Sequence, residues 1–247
     1  MSALTKMTQV EAKLFLRDAR APATLLGLPL ALLLVFGLMP GVNDPDPKYG
    51  GRTGLAAVIA PMSVALMLAM LALTMFPNVL ATYREKGVLK RLSASPVRPS
   101  RLLVAQLLVS LLSAAVVVLL IVGVGRLALH VELPRNLAAF AVSILLGTAS
   151  LFGLGLLIAA FAPTGRAASG IGGAALFPLM ALGGVWVARE QLPPLLGHVA
   201  DVLPLGATLS SLREAWAGNW PSPLQLGSMV LVAVVCTAFA ARFFRWE

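Results

Sequence analysis

Apolar residues fall into six long runs along the chain, roughly 23–40, 53–76, 102–125, 137–162, 167–188 and 224–241. A helix needs about 20 apolar residues to cross a hydrocarbon core about 30 Å thick, so each run qualifies or nearly does. No Asp, Glu, Lys, Arg or His lies well inside any of them; Arg126 borders the third and Arg166 just precedes the fifth. Backbone amides and carbonyls in lipid must bond within their own segment, which makes these runs helices. The pattern predicts an all-α integral membrane protein: a single transmembrane domain over 1–247 with six transmembrane helices.

Three segments between the runs carry their own pattern. In residues 4–20, Leu4, Met7, Val10 and Leu14 recur at helical spacing, with Lys6, Lys13 and Arg17 placed to reach headgroups. This reads as an interfacial helix on the membrane surface, or as a polar leader. Residues 77–101 are the most basic part of the chain, with Arg84, Lys86, Lys90, Arg91, Arg98 and Arg101. Their first part has helical propensity, interrupted at Gly87, and Pro96 and Pro99 stop any helix before the third run. Residues 189–223 are too long for an idle loop. Leu192, Leu195, Leu196, Val199, Val202 and Leu203 mark one face of a short helix; Pro193 and Pro194 suit its first turn and Pro204 ends it. A second short helix fits about Ala207 to Trp216. Neither is long enough to cross, so the pair reads as an outer re-entrant or interfacial hairpin, or as a small cap.

Composition sharpens the membrane reading. Of 247 residues, 59% are hydrophobic and 12% charged, with mean hydropathy +0.90. Soluble domains average about 45–50% apolar and about 25% charged, so this chain has too little charge to cover a water-facing surface. The net charge of +9 does not indicate nucleic acid, because the bases lie in loops between apolar runs. With the N-terminus placed in the cytoplasm, thirteen bases fall inside and six outside, which favours both termini inside. Trp186, Trp216 and Trp220 then gather at the outer face, where amphipathic indoles prefer to sit. The first run follows bases, as a signal peptide does, but Gly37-Leu38-Met39-Pro40-Gly41 offers no small-residue cleavage site, so it reads as an anchor. A lone cysteine, Cys236, excludes an internal disulfide, and His130 and His198 have no Cys or His neighbour with which to hold a metal.

The candidate chemistry is defined mostly by exclusion. No Gly-Lys pair occurs, so this chain supplies no phosphate-binding loop. Neither His-Glu-x-x-His nor Gly-x-Ser-x-Gly is present. The chain is not read as an enzyme. Ion-coupled carriers place ionisable groups within their spans, and these runs have none, although backbone and hydroxyl groups could still bind sodium. A channel's charged ring is also missing. What remains is a membrane path powered by a separate subunit, with 77–101 as its docking loop. A non-transporting sensor or scaffold that binds an ATPase, and an ATP-independent carrier, are the alternatives.

Tyr83-Arg84-Glu85-Lys86-Gly87-Val88-Leu89-Lys90-Arg91-Leu92-Ser93-Ala94-Ser95-Pro96-Val97 resembles the stretch between the second and third spans of type-2 ABC exporter permeases. Gly183-Gly184-Val185-Trp186, Gln191-Leu192-Pro193, Leu203-Pro204-Leu205 and Leu212-Arg213 look like that family's fifth span and outer hairpin. The resemblance covers essentially the whole chain. Val187-Ala188-Arg189-Glu190 departs from it, since many relatives carry Phe-Pro or similar apolar residues there.

The resemblance implies a permease in the plasma (inner) membrane that pairs with a second copy. A separate cytoplasmic ABC ATPase, in two copies, would carry the ATP and Mg2+, and the permease chain itself would hold no cofactor. Residues about 79–90 would form a coupling helix seated in the ATPase. Tyr83, Arg84, Glu85, Lys86, Gly87 and Val88 are the implied ATPase-contact residues; an ion pair within the loop is an equal alternative for Arg84 and Glu85. The second and fifth spans would line the path, and the outer hairpin, with Trp186, Leu192, Pro193, Pro204 and Arg213, would act as its lid. Met62, Met67 and Met70, with Phe177 and Met180, could make an adaptable apolar path, or could serve as ordinary lipid and helix contacts. Ser169, Gly170, Gly172 and Gly173 permit close helix packing. The expected cargo is a hydrophobic or amphipathic compound such as a drug, lipid or secondary metabolite.

Overall fold

The computed structural model describes residues 20–88, 100–186 and 193–243, and the described part is almost entirely helical. Helix α1 spans Arg20–Gly37. A two-residue hairpin follows, β1 (Pro45–Asp46) paired with β2 (Arg52–Thr53). Helix α2 spans Leu55–Glu85, α3 Ser100–Leu129, α4 Leu137–Phe161, α5 Gly165–Leu182, α6 Pro194–Val202, α7 Pro204–Ala217 and α8 Pro223–Phe243. The surface helix expected at 4–20 lies outside the described residues, apart from Arg20, as do 89–99 of the basic loop and the divergent 187–190 stretch.

Four of these helices are long and apolar enough to cross a membrane: α2, α3 over Gln106–Leu129, α4 and α8. The bent pair α6–α7 would add a fifth, if it counts as one span. Helices α1 and α5 are each 18 residues long, or about 27 Å at 1.5 Å per residue. The chain is therefore an all-α, multi-pass membrane protein.

Helix α2 is the centre of the bundle. Of its most apolar stretch 83% is buried inside the chain, against 39% for α3 and 22% for α8. Its two halves have different neighbours. The Leu55–Met70 half packs on α1, α3 and α7; the Leu71–Glu85 half packs on α4 and α5. Helix α8 lies along α4, and α7 fills the space between α4, α8 and α2.

The second apolar run ends near 76, with a separate short helix expected over about 79–90. Instead α2 runs on to Glu85, because it absorbs its prolines in widened turns. Residues Leu55–Ile59 and Leu71–Met75 are π turns, closed by Ala60 N–H donating to Leu55 O and Phe76 N–H to Leu71 O. Pro61 and Pro77 follow each of them two residues on. A proline ring clashes with the carbonyl four residues earlier and offers that carbonyl no N–H. A π turn moves the carbonyl aside, so the helix continues. The helix stops at Lys86-Gly87, where Gly87 takes φ 66° and its N–H donates to Arg84 O at 2.9 Å. Glycine is the residue that adopts this left-handed geometry without a Cβ penalty.

The displaced carbonyls meet glycines. A Cβ on Gly155 of α4 would collide with Ala72 O, and one on Gly172 of α5 with Leu73 O. Helices surrounded by lipid gain little from burying apolar area against one another, so this close backbone approach supplies much of the packing. Among the small residues of α5, Gly172 does this work. Gly170 and Gly173 face open space within the chain, and Ser169 serves as a hydrogen-bond partner instead.

Side chains cap the other helices. Asn136 Oδ1 accepts from Ala139 N at 2.9 Å to start α4, and Thr164 Oγ1 accepts from Ala167 N at 3.1 Å to start α5. Trp216 was expected at the membrane surface with Trp186 and Trp220. Those two are exposed, but Trp216 is 2% exposed. Its ring meets Phe140 edge-on at 5.1 Å, and its Nε1–H donates to Glu132 O at 2.9 Å. A buried indole needs a hydrogen-bond partner, and the carbonyl of the connection before α4 provides one.

Gly172→Ala should lower the stability of the purified protein by about 1–3 kcal/mol through overpacking. Gly173→Ala, one residue on in open space, should leave Tm unchanged or slightly raised. Thermal unfolding in detergent compares the two, and equal effects would contradict this packing. Trp216→Phe should cost about 1–3 kcal/mol, because Glu132 O loses its donor, and the same measurement checks it.

Candidate functional site

The end of α2 presents a polar stripe and a neighbouring cation. Asn78, Thr82 and Glu85 follow i, i+4, i+7 spacing and face the start of α5. Arg84, next to Glu85, faces the end of α4. Between them sits the turn 160–165, which joins α4 to α5.

Arg84 and Glu85 hold this turn from opposite sides of its charge distribution. The last carbonyls of a helix carry partial negative charge and lack intrahelical partners, and the first amides of the next carry partial positive charge. Arg84 Nη1 donates to Ala160 O at 3.2 Å, and its Nη2 donates to Ala162 O. Glu85 Oε2 accepts from Gly165 N at 3.0 Å. A cation meets the C-terminal end of α4 while the neighbouring anion meets the N-terminal end of α5. Such charge-assisted bonds are about twice as strong as neutral ones.

Neutral groups close the rest of the joint. Asn78 Nδ2 donates to Gly165 O at 2.9 Å and to Ser169 Oγ at 2.7 Å. Thr82 Oγ1 occupies the space where a Cβ on Gly165 would go, so only glycine admits α2 this closely. Ala81 packs with Ala162 and Ala168. Tyr83 and Val88 pack against Ala160 and Ala240, bringing α8 to the same end.

The six residues expected to touch an ATPase thus divide. Tyr83, Arg84 and Val88 are half-buried against the chain, and Arg84 is engaged with backbone carbonyls. Glu85 is exposed, with one oxygen on Gly165 N. Lys86 is exposed and Gly87 half-exposed at the helix end. The partners of Arg84 and Glu85 include the 160–165 backbone, some 80 residues away. Asn78, Thr82 and the turn 160–165 were not singled out from sequence. The signal for the first two was present, as a polar i, i+4, i+7 stripe with Glu85 in an otherwise apolar helix.

The candidate path residues do not share one surface of the chain. Met62 and Met67 belong to the core, at 7% and 0% exposure, whereas Phe177 is 61% exposed and touches Trp186 with ring centroids 5.8 Å apart. Met70 and Met180 are half-buried. The long, unbranched methionines of α2 fill the space between helices there.

At the opposite end, α6 and α7 are bent by 87° at Leu203-Pro204. Pro193 and Trp186 are exposed, Pro204 is buried, and Leu192 lies outside the described residues. The apolar face of α6 points outward, with Leu195 at 75% exposure, while α7 is largely core. Arg213 Nη2 donates to Gly184 O at 3.4 Å, fixing the end of α5 to α7. An open groove of about 1040 Å³ lies beside this pair, lined in part by Arg52, Arg135, His198, Asp201, Arg213 and Glu214.

This arrangement ties the end of α2 to the turn between α4 and α5. No group of three or more His, Cys, Asp or Glu side chains placed to hold a metal occurs among the described residues. No curated protein matches the chain. The family model of the ABC-2 type transporters matches residues 3–216, which takes in the joint, the bent pair and every helix but α8. The chain belongs to the ABC-2 type transporter family, as a membrane-embedded permease component.

Proposed function

We propose that this chain is the permease of an ATP-driven exporter that moves a hydrophobic or amphipathic compound out of the cell. It crosses the plasma (inner) membrane six times, with α1 and α5 completing the count and both termini in the cytoplasm. Thirteen bases against six on the two sides support that orientation. Two copies pair, and each carries a cytoplasmic ATPase that binds ATP and Mg2+.

The observation that carries this reading is the placement of Lys86 and Gly87. They form an exposed tip on the one helix that runs through the centre of the bundle. They also lie within the most basic segment of the chain, 77–101. A partner that grips the tip moves the core directly. ATP supplies what the permease lacks, a differential affinity for two states, and so drives alternating access. The partly exposed Met70, Phe177 and Met180 are the proposed path residues, now on the surface where paired chains would meet.

Co-expression with its partner ABC ATPase subunit, followed by reconstitution in vesicles, should give efflux of a hydrophobic dye only with hydrolysable ATP. Efflux by the permease alone would overturn the proposal. Lys86→Glu should slow ATPase association about tenfold at low salt, with the difference shrinking as salt screens the exposed charge. Surface plasmon resonance on detergent-solubilised protein checks this, and an unchanged rate would remove Lys86 from the docking surface.

A further inference from the structure

Helix α5 is held at both ends by other elements. At its start, Gly165 N donates to Glu85, and Gly165 O and Ser169 Oγ accept from Asn78. The turn before it is held by Arg84 through Ala160 O and Ala162 O. At its far end, Gly183 backs onto α7 so closely that a Cβ there would lie 3.2 Å from Gly206 N. Arg213 of α7 donates to Gly184 O just beyond. Between these ends α5 packs chiefly along the Leu71–Glu85 half of α2 and only lightly on α4. It is a rod with one end on the joint and the other on the bent pair.

The joint has little slack. Thr82 Oγ1 fills the space that a Cβ on Gly165 would need, and two charge-assisted contacts of opposite sign resist both separation and sliding. A displacement of the tip of α2 has to move the start of α5 or break those contacts. At the far end, the glycine-to-glycine contact and the Arg213 bond pass the movement to α7. The 87° bend at Leu203-Pro204 then swings α6, whose outward face includes Leu195.

We infer that Arg84 and Glu85 are positioning residues that act inside the permease, transmitting displacement of the coupling segment through α5 to the α6–α7 pair. The inference rests on the proposed ATP-driven function. It assigns direct ATPase contact to Lys86 and Gly87 rather than to Arg84 or Glu85.

The test uses the full-length permease with its ATPase in lipid nanodiscs. The permease carries Leu195→Cys, with Cys236→Ala to remove the native thiol. The rate of maleimide labelling at position 195 is measured without nucleotide and with ATP plus vanadate. The parent should show a nucleotide-dependent change of about fivefold or more. Arg84→Ala and Glu85→Gln should assemble with the ATPase and hydrolyse ATP like the parent, yet lose that change. Arg84→Lys keeps the charge without the forked donor and should recover part of it. A merely structural loss would lower folding yield and would not spare assembly and hydrolysis. The inference is overturned if both variants respond like the parent, or if both fold but fail to bind the ATPase, which would make them direct contacts. It is also overturned if the assembled parent shows no nucleotide-dependent change. A parent that binds no ATPase at all would sink the proposed function, and this inference with it.

Discussion

Helix ends are the electrostatic weak points of a bundle made from apolar helices. Their last carbonyls and first amides lack partners along the helix, and lipid offers none. In this protein one adjacent pair of side chains meets two such ends at once. Arg84 takes the carbonyls of Ala160 and Ala162, and Glu85 takes the amide of Gly165. Removing either charge would leave polar backbone short of a partner in a crowded region, and burying such a group unpaired is costly. With the Asn78 bonds and the Thr164 cap, this pair holds the turn between α4 and α5 and sets where α5 starts.

The course of α2 serves the same end. Its prolines would break an ordinary helix, but the π turns at Leu55–Ile59 and Leu71–Met75 carry the chain past them. The second turn also divides α2 by neighbour: one half is seated on α1, α3 and α7, the other on α4 and α5. Gly155 and Gly172 reach the backbone at this boundary from both sides. Short backbone contacts, together with the Phe76–Phe152 ring pair, hold α4 and α5 close to the Leu71–Glu85 half of α2 there.

Hydropathy alone located most of the helices, because lipid leaves the backbone few alternatives. The fourth and sixth runs agree with α4 and α8 within a residue or two at each end. The bent pair was legible from Pro193, Pro194 and Pro204. The continuity of α2 past 76 was not legible, because the apolar run ends there and the π turn that carries the helix past Pro77 has no sequence signature of its own. The motif at Tyr83–Val88 was legible as a family resemblance, but its partners were not. Arg84 and Glu85 bind main-chain atoms of Ala160, Ala162 and Gly165, and a backbone carbonyl leaves no mark on side-chain identity. Trp216 shows the same limit: its surroundings are set by Phe140 and Glu132, about 80 residues away.

The central claim is that the lower half of α2 and α5 travel together. Asn78 and Ser169 touch across the two helices at 2.7 Å, so Asn78→Cys and Ser169→Cys, in a Cys236→Ala background, can be joined by oxidation or a short thiol cross-linker. ATP hydrolysis by the reconstituted permease–ATPase complex is then compared before and after joining. Rates within about twofold of each other are expected, since the cross-link ties parts that do not separate, whereas coupling changes run about five-fold and upward. A collapse of hydrolysis on joining, reversed by reductant, would show that the two helices must part during the cycle and would contradict the claim.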